Sequence, residues 1–114
     1  MSQGVEDVLA AAAELERLAR QRITWARRGE WDALVESEAR RGELAARIRV
    51  DVFEGRDDLG RSLAERLTRI RDLDEELVPL LEQARDELAV ELQKVQKKAA
   101  GARAYDRTSR GEKG

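Results

Sequence analysis

A chain of 114 residues with 40% charged residues, 4% aromatic residues and one proline has room for one helical domain and little else. Its formal net charge of -2 gives no general basis for nucleic-acid binding, which rests on a basic surface. With no cysteine and no histidine it has no disulfide, no thiolate or imidazole metal ligand and no histidine general base, so neither metal nor cofactor is expected.

No apolar run approaches the ~18 residues of a membrane span, and the N-terminus shows no basic-then-apolar leader. A soluble cytoplasmic protein without membrane insertion is the expectation. The fold expected is an all-α antiparallel three-helix bundle over residues 1–100, with helices at about 5–28, 30–53 and 58–98, and a flexible basic tail over 101–114.

The first helix carries Val5, Val8, Ala12, Leu15, Ala19 and Ala26 on one stripe, flanked by Leu9, Leu18, Ile23 and Trp25. Arg27 and Arg28 suit the negative end of its dipole, and Gly29 suits a left-handed residue just past a C-terminus. In the second helix Trp31, Leu34, Val35, Ala45, Ile48 and Val52 are expected to face inward. Glu38 and Arg41 fall close to that stripe, where they form a structural inter-helix polar pair or, less plainly, a catalytic couple. Gly42 costs a helix interior about 1 kcal/mol, which a close neighbouring helix would explain. Glu36–Arg40 and Glu43–Arg47 have the order that supports a helix through pairs four residues apart. Gly55 then ends the second helix, and Asp57 or Asp58 caps the third, with Ser62 and Glu65 as a rival capping box one turn later.

The third stretch is much the longest. No glycine falls between Gly60 and Gly101, and Leu63, Leu67, Ile70, Leu77, Leu81, Ala84, Leu88 and Val95 keep one helical face apolar. A helix of ~40 residues is roughly 60 Å long, well beyond either partner. If it starts beside the end of the second helix, about 24 residues bring it level with the Gly29 turn, near residue 81. Leu88, Leu92 and Val95 continue the stripe past that point, with Val90 nearby, and Pro79 loosens the helix close to where support ends. An apolar stripe without a partner marks an interaction surface, either for a partner helix or for a second copy of the chain.

Charge segregates in the same region. Residues 72–91 hold eight acids against Arg85, whereas residues 94–114 hold seven bases against Asp106 and Glu112. The basic tail, with Tyr105 its one large apolar side chain, could fold back on the acidic stretch; the alternative is two ordinary solvated faces. Trp25 and Trp31 flank the first turn, either as a clamp closing the hairpin or, for Trp31, as an anchor for a partner helix.

Two stretches resemble the flagellar export chaperone FliT family. In GEWDALVESEARRGELAARI, Gly29 to Ile48, the resemblance rests on Trp31, Leu34, Glu38, Arg41 and Ile48. LTRIRDLDEELVPLLEQARDEL, Leu67 to Leu88, is similar to the family's third helix, and Ala104-Tyr105 to an Ala-Tyr pair in its tail. The resemblance implies a cytoplasmic chaperone of flagellar type III secretion that holds the C-terminal helical segment of the filament-cap protein FliD until export. It also implies contacts with the export gate or the export ATPase complex, and a C-terminal segment able to cover the binding surface. The partner-binding residues expected are Leu81, Ala84, Leu88, Leu92, Val95 and Trp31, with Tyr105 in the lid.

Two other readings compete. One is a coiled-coil adaptor or homodimer with no chaperone role. The other is an enzyme, because IRDLDEELVPLLEQARDELAVEL also resembles the first helix of helical chorismate mutases. Aligning Asp74 with the aspartate of that family places Ala84 and Val95, not Arg85 and Lys94, at its cationic positions. One residue is about 100° around a helix, so both cations point elsewhere, and no enzyme is expected.

Overall fold

The computed structural model describes residues 3–109. It consists of α1, Gln3–Arg28; α2, Trp31–Ala46; a short 3-10 turn, Val50–Phe53; and α3, Asp57–Ser109. There is no strand among the described residues, so the chain is all-α.

The chain leaves α1 and enters α3 through glycines in the left-handed region, Gly29 at φ 71° and Gly55 at φ 78°. After α1, the Glu30 amide donates to the Trp25 carbonyl at 2.8 Å and the Gly29 amide to that of Ala26 at 3.2 Å. This pair of crossing bonds satisfies carbonyls that the helix end would otherwise leave open. Asp57 and Asp58 lie in the first turn of α3, where the helix dipole favours them, so the start at Ser62 is not used.

α2 ends at Ala46, about two turns before the expected Phe53. The segment after it holds three β-branched residues, Ile48, Val50 and Val52, which lose side-chain freedom in a helix. The chain extends at Arg49 and coils into the 3-10 turn, which delivers Phe53 into the core. α3 likewise departs from expectation by continuing past Lys98 and through Gly101 to Ser109, so the described part of the tail is helical. Residues 110–114, part of the expected tail, lie outside the described residues.

Two compact units divide the chain, Met1–Leu80 and Leu81–Gly114. The boundary lies beside Pro79, where the comparison of helix lengths ends the bundle, rather than near residue 100. In the first unit, side-chain pairs fix the helix directions. Glu14 meets Arg40 and Arg22 meets Glu38, so α1 and α2 run antiparallel; Glu16 meets Arg69 and Arg27 meets Glu76, so α3 runs parallel to α1. The result is an up-down-up three-helix bundle.

Its core has three stacked clusters. Val5, Val8 and Ala12 pack with Phe53 and Leu63; Ala11 and Leu15 with Leu44 and Ile70; Ile23 and Ala26 with Leu34 and Leu77. The stripe expected on α1 is buried as drawn, but that on α2 is not. Leu34, Ser37 and Leu44 face inward, while Val35 and Ala45 face solvent and Trp31 is 36% exposed. Gly42 is exposed with nothing near the position of a Cβ, so no neighbouring helix accounts for it.

Candidate partner-binding face

The second unit is a helix over its described residues, and none of its described side chains is buried. At 100° per residue, Leu81, Ala84, Leu88, Leu92 and Val95 stay within about 80° of one another. They form one apolar face, with Leu88 at 70%, Leu92 at 55% and Val95 at 62% exposure. Ala84 is half-buried by its helical neighbours. Val90 is about 180° from the face and does not belong to it. An apolar stripe of this kind on an exposed helix has the form of an interaction surface.

Polar residues frame the face. Gln83 donates to Glu87 at 3.1 Å, Lys94 pairs with Glu91 at 3.2 Å, and Arg85 pairs with Asp86 at 3.3 Å. All of these are bonds within one helix and exposed, so they hold little energy and exchange easily for bonds to a partner. Arg85 and Lys94, the cations the mutase resemblance required, are thus surface groups on separate bearings. Tyr105 is 77% exposed and helical, so the lid that would bring it against the apolar face is not closed in this structure.

On the first unit, Trp25 packs on the cluster of Ile23, Ala26, Leu34 and Leu77, which makes it the hairpin clamp. Trp31 opens α2 beside Gly29 and remains partly open to solvent.

Glu38 and Arg41 do not pair with each other but with different helices. Glu38 accepts from Arg22 of α1, and Arg41 lies 3.7 Å from Asp74 of α3. Three and four residues apart on α1, Ala19, Arg22 and Ala26 share the inward stripe, so it is Arg22 that holds the buried position. Arg22 also lies 3.8 Å from Asp74, which closes an alternating row Glu38–Arg22–Asp74–Arg41 across all three helices. The gap in the apolar stripe between Ala19 and Ala26 is the sequence signal for this residue. Phe53, the chain's one phenylalanine, is the other core residue that helical periodicity passes over.

A second polar centre forms on the α1–α3 side. The Glu16 carboxylate accepts from Arg20 at 3.0 Å and Arg69 at 3.2 Å, with Arg66 at 3.9 Å. The Arg20 hydrogen bond, against the opposing effect of burial and with help from Arg69 and Arg66, holds this carboxyl below the usual carboxylate range. Among the described residues, no group of three acidic side chains is placed to hold a metal ion, and no helix is long and apolar enough to cross a membrane.

The family model described as flagellar protein FliT matches residues 9–107. The chain belongs to the FliT family. No curated protein and no solved structure matches it. The FliT match takes in both units, including the entire apolar face and Tyr105. It also gives the chain a flagellum-related role, in a family of flagellar proteins rather than of enzymes. Within this FliT-family chain the conspicuous chemical feature is the exposed face of the second unit; the buried polar side chains, Arg22 and Ser37, lie in the first, where Arg22 pairs with Glu38 and Ser37 donates to the Leu34 carbonyl.

Proposed function

We propose that this FliT-family chain is a cytoplasmic export chaperone that holds an amphipathic helix of a secreted flagellar protein along the face Leu81, Ala84, Leu88, Leu92 and Val95. The observation that carries the reading is the exposure of that face in the second unit, where no described side chain is buried. An amphipathic partner helix would cover such a face by placing its own apolar residues at helical spacing against it. The client named by the family resemblance is the C-terminal segment of the filament-cap protein FliD. Trp31, on the first unit, serves as a separate aromatic anchor, and export-gate or export-ATPase components receive the loaded chaperone. The role is one of holding; the exposed face offers apolar contact and no acid–base pair for catalysis.

Calorimetric titration with the C-terminal segment of the filament-cap protein tests the reading. Saturable binding that Leu88→Asp or Leu92→Asp abolishes, with the far-UV helical signal unchanged, supports it. A wild-type chain that gives no heat and no complex on gel filtration rules that client out. Deleting residues 99–114 tightens binding if the tail competes for the face; unchanged affinity removes the lid.

A further inference from the structure

The solvent side of α2 carries a row of side chains that the bundle does not use. At about 100° per residue, Trp31, Val35, Ala39, Gly42 and Ala46 fall within about 80° of one another, and all five are exposed. Trp31 at 36% and Val35 at 68% exposure are its large apolar members. Ala39, Gly42 and Ala46 leave the rest of the face shallow, so the backbone of another helix can come close there. Within the bundle nothing does, since no atom lies within 4 Å of a Cβ placed on Gly42. A glycine weakens a helix interior, and here the chain draws no packing from it.

At the start of the row Trp31 sits in an open cleft of about 520 Å³ lined by Gly29, Glu30, Trp31, Asp32 and Ala33. The indole is not required to close the hairpin, because Trp25 packs on the cluster that does so. Glu30 and Asp32 put two carboxylates into the cleft, and Asp32 and Glu36 edge the apolar row along one flank. Among the described residues none of these three carboxylates has a hydrogen bond or an ion pair. The bases around them in sequence are committed elsewhere: Arg27 to Glu76, Arg40 to Glu14 and Glu43, Arg41 to Asp74. Arg28, exposed at the end of α1, does not line the cleft. The α2 dipole accounts for only part of this charge. A helix N-terminus carries roughly half a positive charge, less than the two carboxylates beside Trp31, and Glu36 lies beyond the first turn.

We propose that this face of α2 docks a basic amphipathic helix of another protein, with a lysine or arginine of that helix in the Trp31 cleft. An indole attracts a cation, and Glu30 and Asp32 accept its charge-assisted hydrogen bonds. Larger apolar residues of the partner fill the shallow part of the face over Ala39, Gly42 and Ala46, and its basic flank meets Asp32 and Glu36. The same carboxylates set the face against anionic lipid and nucleic-acid phosphate. The inference gives a ligand class to the aromatic anchor assigned to Trp31 above, and it does not depend on what the second unit holds.

The acid-rich stretch 72–91 of α3 is the rival for such a partner, so the test must separate the two. The probe is a dye-labelled helical peptide of leucine, alanine and arginine, about five turns long with its arginines along one flank. It is titrated with the full chain and followed by fluorescence anisotropy. Saturable binding at about 50 mM salt that weakens at about 500 mM is expected, with at least about tenfold weaker binding when glutamate replaces arginine. Gly42→Leu puts a good helix former into open space, so it should raise the melting temperature while weakening the peptide about tenfold. Trp31→Ala should weaken it about tenfold as well, and so should Glu30→Gln combined with Asp32→Asn and Glu36→Gln. Glu82→Gln with Glu87→Gln on α3 should leave binding unchanged, as should Leu88→Asp, the substitution that removes the client of the second unit. A chain that ignores the peptide, or takes the glutamate peptide equally well, overturns the proposal. A Gly42→Leu chain that binds as wild type does, or binding lost with the two α3 acids instead, overturns it too.

Discussion

Arg22 of α1 is buried in the bundle and donates to Glu38 of α2, which is itself half exposed. The pair sits between two apolar clusters, one built on Leu15, Leu44 and Ile70 and the other on Ile23, Leu34 and Leu77. Because Asp74 also reaches Arg22 and Arg41 reaches Asp74, the charges alternate across the bundle. Desolvating one guanidinium is tolerable here because both carboxylates keep contact with water while facing it. The Nε of Arg22 nonetheless has no hydrogen-bond partner.

That orphaned nitrogen separates packing from charge in a mutational test. Arg22→Ala removes the aliphatic stem from a filled layer and is expected to destabilise the first unit by about 2–3 kcal/mol. Arg22→Met keeps the volume, leaves Glu38 and Asp74 able to find water, and is expected to stay within about 1 kcal/mol of wild type. Urea unfolding followed by tryptophan fluorescence checks both, since Trp25 and Trp31 both lie in the first unit. Equal losses for the two substitutions would show that the charge, not the stem, holds the layer.

Glu16 sets a pH dependence with a defined sign. Arg20, Arg69 and Arg66 keep its carboxyl below its usual value near 4.5 in the folded chain. The depressed value means that the carboxylate contributes stability that is fully present above the unfolded value and is lost as pH falls through the folded one. Glu16→Gln should therefore lower the urea midpoint at neutral pH. The difference from wild type should shrink steadily as pH is taken below about 4.5. A constant difference down to about pH 3 would show that Glu16 acts through packing alone.

Two glycines in the hairpin should respond in opposite directions. Gly42 lies inside α2, exposed, with nothing within 4 Å of a Cβ placed there. Gly42→Ala removes backbone freedom from the unfolded chain and should stabilise by about 0.5–1 kcal/mol. Gly29 has φ 71°, which a side chain resists, so Gly29→Ala should destabilise by about 1 kcal/mol. Thermal melts of the two variants on either side of wild type are the expected result.

The same residues show what the sequence could and could not carry. Helix number, the two left-handed glycines and the α1 stripe from Val5 to Ala26 were legible because local backbone chemistry and a 3.6-residue period determine them. The early end of α2 was not, because the gain that ends it is tertiary. Phe53 enters a cluster made by Val5, Val8 and Leu63, residues far from it in sequence. Nor was the partner of Glu38, since periodicity marks Arg22 only as a gap and cannot say which acid crosses to fill it. On the candidate face, Leu81 to Val95 were legible as a stripe because a single helix settles their bearing.

Leu77 and Leu88 belong to the same helix and the same apolar series, yet they should fail in different assays. Leu77 is 4% exposed in the cluster with Ile23, Ala26 and Leu34, so Leu77→Ala should destabilise the first unit by about 2–4 kcal/mol. Leu88 is 70% exposed, so Leu88→Ala in dilute solution should move the same fluorescence-detected midpoint by less than about 0.5 kcal/mol. Binding should invert the order. Truncating Leu88 removes an anchor from the middle of the face and should weaken a helical client about tenfold, while a still-folded Leu77→Ala chain, measured in the cold, should bind as wild type does. The pair of measurements locates the change from core to docking surface between these two leucines. A Leu88→Ala chain that unfolds as readily as Leu77→Ala would show that the second unit's face is core after all, and that the exposed stripe binds nothing.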